Sequence, residues 1–137
     1  MENSEERYAV LGKMYALRTT VQLETSAEQS RNLLFAVRAG NYHLLHDDQE
    51  SLIGYVTWAA INRDGWRMLQ RQQPPRYLSE WREGLVLLPM DVVVLPEWRA
   101  GLQKLLRPIC RRMPQLAAWR HGQQPRLYRV MRRGNHD

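Results

Sequence analysis

The stretch LVLLPMDVVVLPEWRAGLQKLL, from Leu85 to Leu106, constrains the fold more than any other part of the chain. Its first half is a continuous apolar run rich in β-branched residues, which suits a central strand buried on both faces. Pro89 stands inside that run and implies a bulge or an interruption of the ladder. Asp91 follows, a carboxylate that is costly to bury unless it is hydrogen-bonded or ion-paired. Pro96 then opens a helix expected to reach about Met113, because proline is favoured in a first helical turn. Pro108 lies inside that helix and should kink or split it.

The rest of the chain supplies what such a strand needs around it. Tyr8, Leu11, Tyr15 and Leu17 recur near helical spacing, and Leu33, Leu34 and Val37 mark a second helix, with Thr25 or Ser26 as its N-cap and Gly40 as its stop. After Gly40 two apolar runs flank the turn-forming HDDQES, a β-hairpin signal. Residues 62–83 are polar and carry Pro74-Pro75, so a loop is expected there, with one short helical turn around Trp66 to Leu69. Leu116 to Trp119 and Leu127 to Met131 read as a short element and a closing strand before the tail RRGNHD. This order predicts a mixed α/β or α+β fold with a central sheet flanked by helices. Trp58, Trp81, Trp98 and Trp119 are expected to build its core. With 137 residues, 44% of them hydrophobic, and no repeat or linker, residues 1–137 are expected to form a single domain.

Composition narrows the function classes. Cys110 is the lone cysteine, which allows no internal disulfide and no thiolate cluster, so a reducing compartment is the default. His43 and His46 are expected on opposite strand faces, and His121 and His136 are remote in sequence, so no metal site is expected. No run approaches the roughly 18 apolar residues of a membrane span, and the start MENSEERYAV is polar, so the expectation is a cytoplasmic protein.

The net charge of +6 and pI near 10.0 point to an anionic partner, whether nucleic acid, an anionic membrane or an acidic protein. Aromatic residues do not alternate with basic ones along an exposed strand, so a nucleic-acid partner rests on charge alone and is disfavoured. Lys104, Arg107 and Arg111 share one face of the long helix, either as a docking stripe or as a solvated face. Arg126, Arg129, Arg132 and Arg133 make the C-terminal end basic.

Val94, Pro96, Glu97, Trp98, Arg99 and Gly101 form a V-x-P-E-aromatic-R-x-G turn that is similar to the pyrophosphate loop of GNAT-type acyltransferases. Glycines in that loop let backbone N–H groups approach phosphates, and the helix N-terminus adds a favourable dipole. Here Gly101 is the one glycine of the turn.

A wider resemblance runs from about residue 10 to 134. Arg38, Ala39, Tyr42, Leu44, Leu45, Tyr55, Thr57, Trp58 and Ala59 occupy places that match RTX toxin-activating lysine acyltransferases. Leu11-Gly12, Trp81, Asp91 and the segment RRMPQLAAWR resemble that family in the same order. The resemblance implies a GNAT-like fold and transfer of an acyl group to a lysine of a peptide or protein toxin precursor. It implies no bound cofactor, since the donor is a thioester on acyl carrier protein, whose acidity suits a basic face. Arg99 and Gly101 then become donor-binding candidates, and Lys104, Arg107 and Arg111 candidates for docking the carrier or a partner maturation subunit.

The family's catalytic histidine, placed just before the second helix, has no counterpart in RTTVQLETSAEQ. A lysine ammonium, with a reference pKa near 10.4, must lose its proton before it attacks a thioester. Glu24 is a stand-in base or else a cap or solvated charge. Asp91 orients or deprotonates the nucleophile, or else forms a salt bridge to an arginine. Short relatives associated with siderophore-carrying microcins join a siderophore conjugate to the peptide C-terminus with a partner subunit, which makes an activated siderophore conjugate the alternative donor. Two other readings stand beside the enzyme: a non-catalytic scaffold subunit of a toxin-maturation complex, and a small basic nucleic-acid-binding protein.

Overall fold

A computed structural model describes residues 4–130. Helix α1 (Ser4–Thr20) has Glu5 and Glu6 in its first turn and Arg18 in its last, each placed to favour the helix dipole. It buries Leu11, Met14, Leu17 and Arg18. Tyr8 and Tyr15, expected on the buried stripe, lie on the outer face instead, 65% and 37% exposed. Helix α2 (Ala27–Ala39) starts at Ser26, whose hydroxyl accepts from the Gln29 N–H while the Gln29 side chain accepts from the Ser26 N–H. It stops at Gly40, which takes the left-handed conformation at φ 73°.

Strands β1 (Tyr42–His46) and β2 (Leu52–Ile61) form the expected hairpin. Asp47 closes its turn, accepting at Oδ1 from the N–H groups of Gln49 and Ser51. Helix α3 (Arg63–Gln70) occupies what the polar composition suggested was mostly loop. Asn62 caps it by accepting from the Gly65 N–H, and Leu69 anchors it in the core. A short 3₁₀ helix (Leu78–Trp81) delivers the fully buried Trp81, and strand β3 (Val86–Val94) follows.

The expected helix from Pro96 is divided. Residues Pro96–Gly101 form a 3₁₀ segment, and α4 covers Leu102–Cys110. The break falls at Gly101 rather than at Pro108, which sits in the last turn of α4 and leaves the carbonyl four residues before it without a helical donor, two residues before the helix ends. Strands β4 (Gln115–Ala118) and β5 (Arg126–Arg129) are the last elements among the described residues. Gln72 fastens their hairpin to the end of α3, its Oε1 accepting from Trp119 Nε1 and the Gly122 N–H, and its Nε2 donating to the Gln123 carbonyl.

The sheet has five strands in the order β1-β2-β3-β4-β5, antiparallel except for the β3–β4 pair. Helices α1, α2 and α3 pack on one face through Tyr55, Ala59, Ile61, Leu88 and Val93. Helix α4 packs on the other through Leu45, Val56, Trp58 and Leu87. The protein is thus the expected mixed α+β fold, consistent with a GNAT-like arrangement. The most buried strand is β2, not β3, whose middle residues Pro89 to Val92 are exposed or half-buried. Trp58 and Trp81 are buried, and Trp66, Trp98 and Trp119 pack partly buried against the core. Among the described residues, no helix is long and apolar enough to cross a membrane.

Candidate functional site

Side chains alternate across a strand, so Leu88 and Asp91, three apart, would ordinarily face opposite sides of the sheet. Here they face the same side. The ladder between β2 and β3 shifts between Thr57 and Trp58, which oppose Asp91 and Pro89 and leave Met90 as an extra residue. This bulge, seeded by a proline that cannot donate to the ladder, turns Asp91 toward α1.

Arg18 meets it there. Its Nη1 lies 2.8 Å from Asp91 Oδ2, and the Tyr55 hydroxyl donates to the same oxygen at 2.5 Å. The guanidinium also holds the start of the α1–α2 connection: Nε donates to Thr25 Oγ1 at 2.8 Å and Nη2 to the Glu24 carbonyl at 2.7 Å. Burial works against the Arg18 charge, but its bonds to Tyr55 and the attraction of Asp91 outweigh that and hold its pKa above the ordinary arginine value. Asp91 keeps 26% of its side chain accessible, while Arg18 keeps 3%.

Burial above all, and the hydrogen bond to Asp91, push the Tyr55 hydroxyl well above the ordinary 10.0, against the opposing pull of Arg18. A folded value above the unfolded one contributes stability that is present below the unfolded value and lost as pH rises through the folded one. The protein should therefore lose stability above pH 10, where the unfolded chain ionises first. Tyr55→Phe should flatten this alkaline loss and lower neutral-pH stability by about 1–2 kcal/mol, measurable by urea unfolding across the range.

Beside this network the sheet opens. Strand β3 pairs with β4 only at Val86 with Gln115 and Leu87 with Leu116, and beyond them the two parallel strands part. At the far end of β3 lies a cavity of about 290 Å³, lined by Val92, Val93, Val94, Val21, Leu23, Arg99 and Leu102. Of the sequence candidates, one lines it and one lies beside it. Arg99 lines it directly, and Glu24 is an exposed neighbour of the lining residue Leu23, tied by its carbonyl to the arginine that holds Asp91.

Gly101 is exposed at the end of the 3₁₀ segment, with φ −98° and no atom within 4 Å of where a side chain would start. Lys104 and Arg107 are exposed on α4, and Arg111 is half-buried at its C-cap, so these three extend away from the cavity along the helix. The Cys110 thiol is pushed up by burial, which disfavours a nucleophilic thiolate.

His43 and His46 are both exposed on β1, and the register shift between Leu45 and His46 upsets the simple alternation expected of them. They are close enough electrostatically that His46, after burial and Arg112, helps to lower the pKa of His43. Among the described residues no group of three or more His, Cys, Asp or Glu could hold a metal ion. Arg132 and Arg133 lie outside the described residues.

Arg18 is the residue that sequence reasoning missed. Its signal was present: seven residues after Leu11, a charge sits on the apolar stripe of α1, where it needs a buried partner. No protein-family model matches the chain, and no curated protein is significantly similar to it.

Proposed function

We propose that the protein is an acyltransferase-type maturation enzyme that modifies a ribosomally made toxin or bacteriocin, with its donor laid in the cleft between β3 and β4. The observation that carries this reading is the parting of β3 from β4 after Leu87 and Leu116, which leaves that edge of β3 open toward the cavity at its far end, lined by Val92 to Val94. Backbone groups of β3 left without a β4 partner can hydrogen-bond the amides of an extended pantetheine-like arm. The valines offer the acyl part an apolar wall, and Arg99 offers an anionic group a charge at the rim.

The resemblance to RTX toxin-activating lysine acyltransferases supports the same placement. In the transfer, a lysine amine or a hydroxyl of the precursor attacks the donor carbonyl, the new C–N or C–O bond forms, and the bond to the leaving thiol or other activating group breaks. Glu24, exposed beside the cavity, takes the proton. Asp91, held by Arg18 and Tyr55, acts as a positioning residue that fixes the α1–α2 connection against the donor. The donor is a carrier-protein thioester or an activated siderophore conjugate, and the peptide precursor and a partner subunit or acidic carrier are the partners.

A second reading, a non-catalytic scaffold subunit, is favoured by one observation: Asp91 Oδ2 is already engaged by both Arg18 and Tyr55. Purification of the tagged protein from its host, with intact-mass analysis of co-eluting peptides before and after mixing with fresh precursor and carrier, separates the two. The enzyme reading expects a mass gain on the peptide that requires this protein and falls at least about tenfold in Glu24→Gln. Unchanged product formation in Glu24→Gln and in a folded Asp91→Asn variant supports the scaffold.

Gly101→Ala gives a further check. The open space and ordinary φ at this position predict an unaltered Tm. If the donor lies against the backbone of this turn, transfer should nevertheless fall by roughly tenfold, because a methyl group displaces it from its attack geometry.

A further inference from the structure

Among the described residues strand β5 is the outer edge of the sheet, pairing with β4 alone, and Arg126, Leu127, Tyr128 and Arg129 are all exposed. An edge of this kind is a template for another strand unless it is blunted. Flanking arginines are one such device, but Leu127 and Tyr128, 40% and 46% exposed, leave apolar surface on the edge.

Each face of β5 also opens onto a cavity. Leu127 pairs across from Ala117 of the α3-side core and lines a mainly apolar cavity of about 410 Å³ together with Trp66 and Val86. Tyr128 pairs across from Leu116 of the α4-side core and lines a more polar cavity of about 540 Å³ together with Arg120 and Arg126. Successive side chains of an added strand would point alternately toward these two cavities. One row would meet apolar walls and the other would meet arginines.

Charge complementarity selects the occupant. Neither Arg120 nor Arg126 has an acidic partner among the described residues, where the ion pairs are Arg18 with Asp91 and Arg31 with Glu28. Arg63 and Glu83, of opposite charge, both line the apolar cavity, and Glu83 accepts from Asn62, which lines it too. We propose that β5 is a docking edge for an extended segment of a partner protein in which acidic and apolar residues alternate. It adds as a further strand, its apolar side chains toward the Leu127 cavity and its carboxylates toward Arg120 and Arg126.

The test uses the full chain and two fluorescent peptides of equal composition, one alternating Glu with Val or Leu and one with the charges and apolar residues in separate blocks. Fluorescence anisotropy should show preferential binding of the alternating peptide, and amide hydrogen exchange should show β5 amides slowed by it. Arg120→Glu with Arg126→Glu changes exposed side chains and should leave the circular dichroism spectrum intact while weakening this binding at least roughly tenfold. Equal binding of the two peptides, undiminished binding to the charge-reversed variant, or no slowing in β5 overturns the proposal. So does a free protein in which the β5 amides that point away from β4 are already protected, since the edge is then taken by the chain itself or by a second copy.

Discussion

Arg18→Met is expected to destabilise the protein by about 3 kcal/mol, because it removes one member of a buried ion pair and strands the others. The guanidinium satisfies four acceptors at once: Asp91 Oδ2, the Tyr55 hydroxyl, Thr25 Oγ1 and the Glu24 carbonyl. Methionine fills much of the volume of the arginine stem but supplies none of these hydrogen bonds. For a domain of this size that loss corresponds to a fall in Tm of roughly 10 °C.

Asp91→Asn should cost a similar amount for the converse reason, since it leaves the cation buried without its counter-charge. The double variant Arg18→Met with Asp91→Leu should recover much of the loss, because replacing a whole buried pair by apolar groups is far less costly than breaking it. Urea unfolding of the unmodified protein, Arg18→Met, Asp91→Leu and the double variant gives this coupling directly. If the two single losses simply added in the double variant, the pair would not be the source of the stability.

Gly84→Ala is the second large effect. A Cβ at this position would lie 1.6 Å from the carbonyl oxygen of Ile61, 1.7 Å from its carbonyl carbon and 2.3 Å from the Asn62 nitrogen. These are backbone atoms at the end of β2, so no side-chain rotation can relieve the overlap. Gly84 also donates its N–H to the Ala60 carbonyl at 3.1 Å, a bond that would break if the segments moved apart. The expected cost exceeds about 3 kcal/mol, seen as a markedly lower Tm or as loss of soluble protein. Gly12→Ala is the control. Gly12 is exposed on α1 with nothing within 4 Å of the added methyl group, so alanine should stabilise the helix by about 0.5–1 kcal/mol.

Local chemistry in the sequence was legible wherever one residue type does one job. Ser26 with Gln29 and Gly40 marked the ends of α2, HDDQES marked the hairpin turn, and Pro89 marked the bulge. Reading failed where tertiary contacts decide. Helix α3 was hidden in a polar segment because Leu69 is its only buried residue, and tertiary packing rather than propensity holds it. The run from Leu85 to Leu95 looked like the most buried strand, yet its middle is open because β4 leaves it after Leu87. Parity along that strand could not be read without the position of the extra residue, so the side of the sheet that Asp91 faces was not legible. The Arg18 network joins residues distant in sequence. Two residues announced it: Asp91, a carboxylate in an apolar run whose alternative role was a salt bridge to an arginine, and Arg18, a charge on the apolar stripe of α1.

The most direct test of the proposed cleft is an NMR titration of the isotope-labelled full chain with acyl-pantetheine, which carries the amides and thioester of the donor arm without the carrier. Saturable shifts are expected, confined to β3 from Leu88 to Val94, the turn from Pro96 to Gly101 and the α1–α2 connection around Leu23 and Glu24. No shifts at millimolar ligand, or shifts that spare β3, would contradict it.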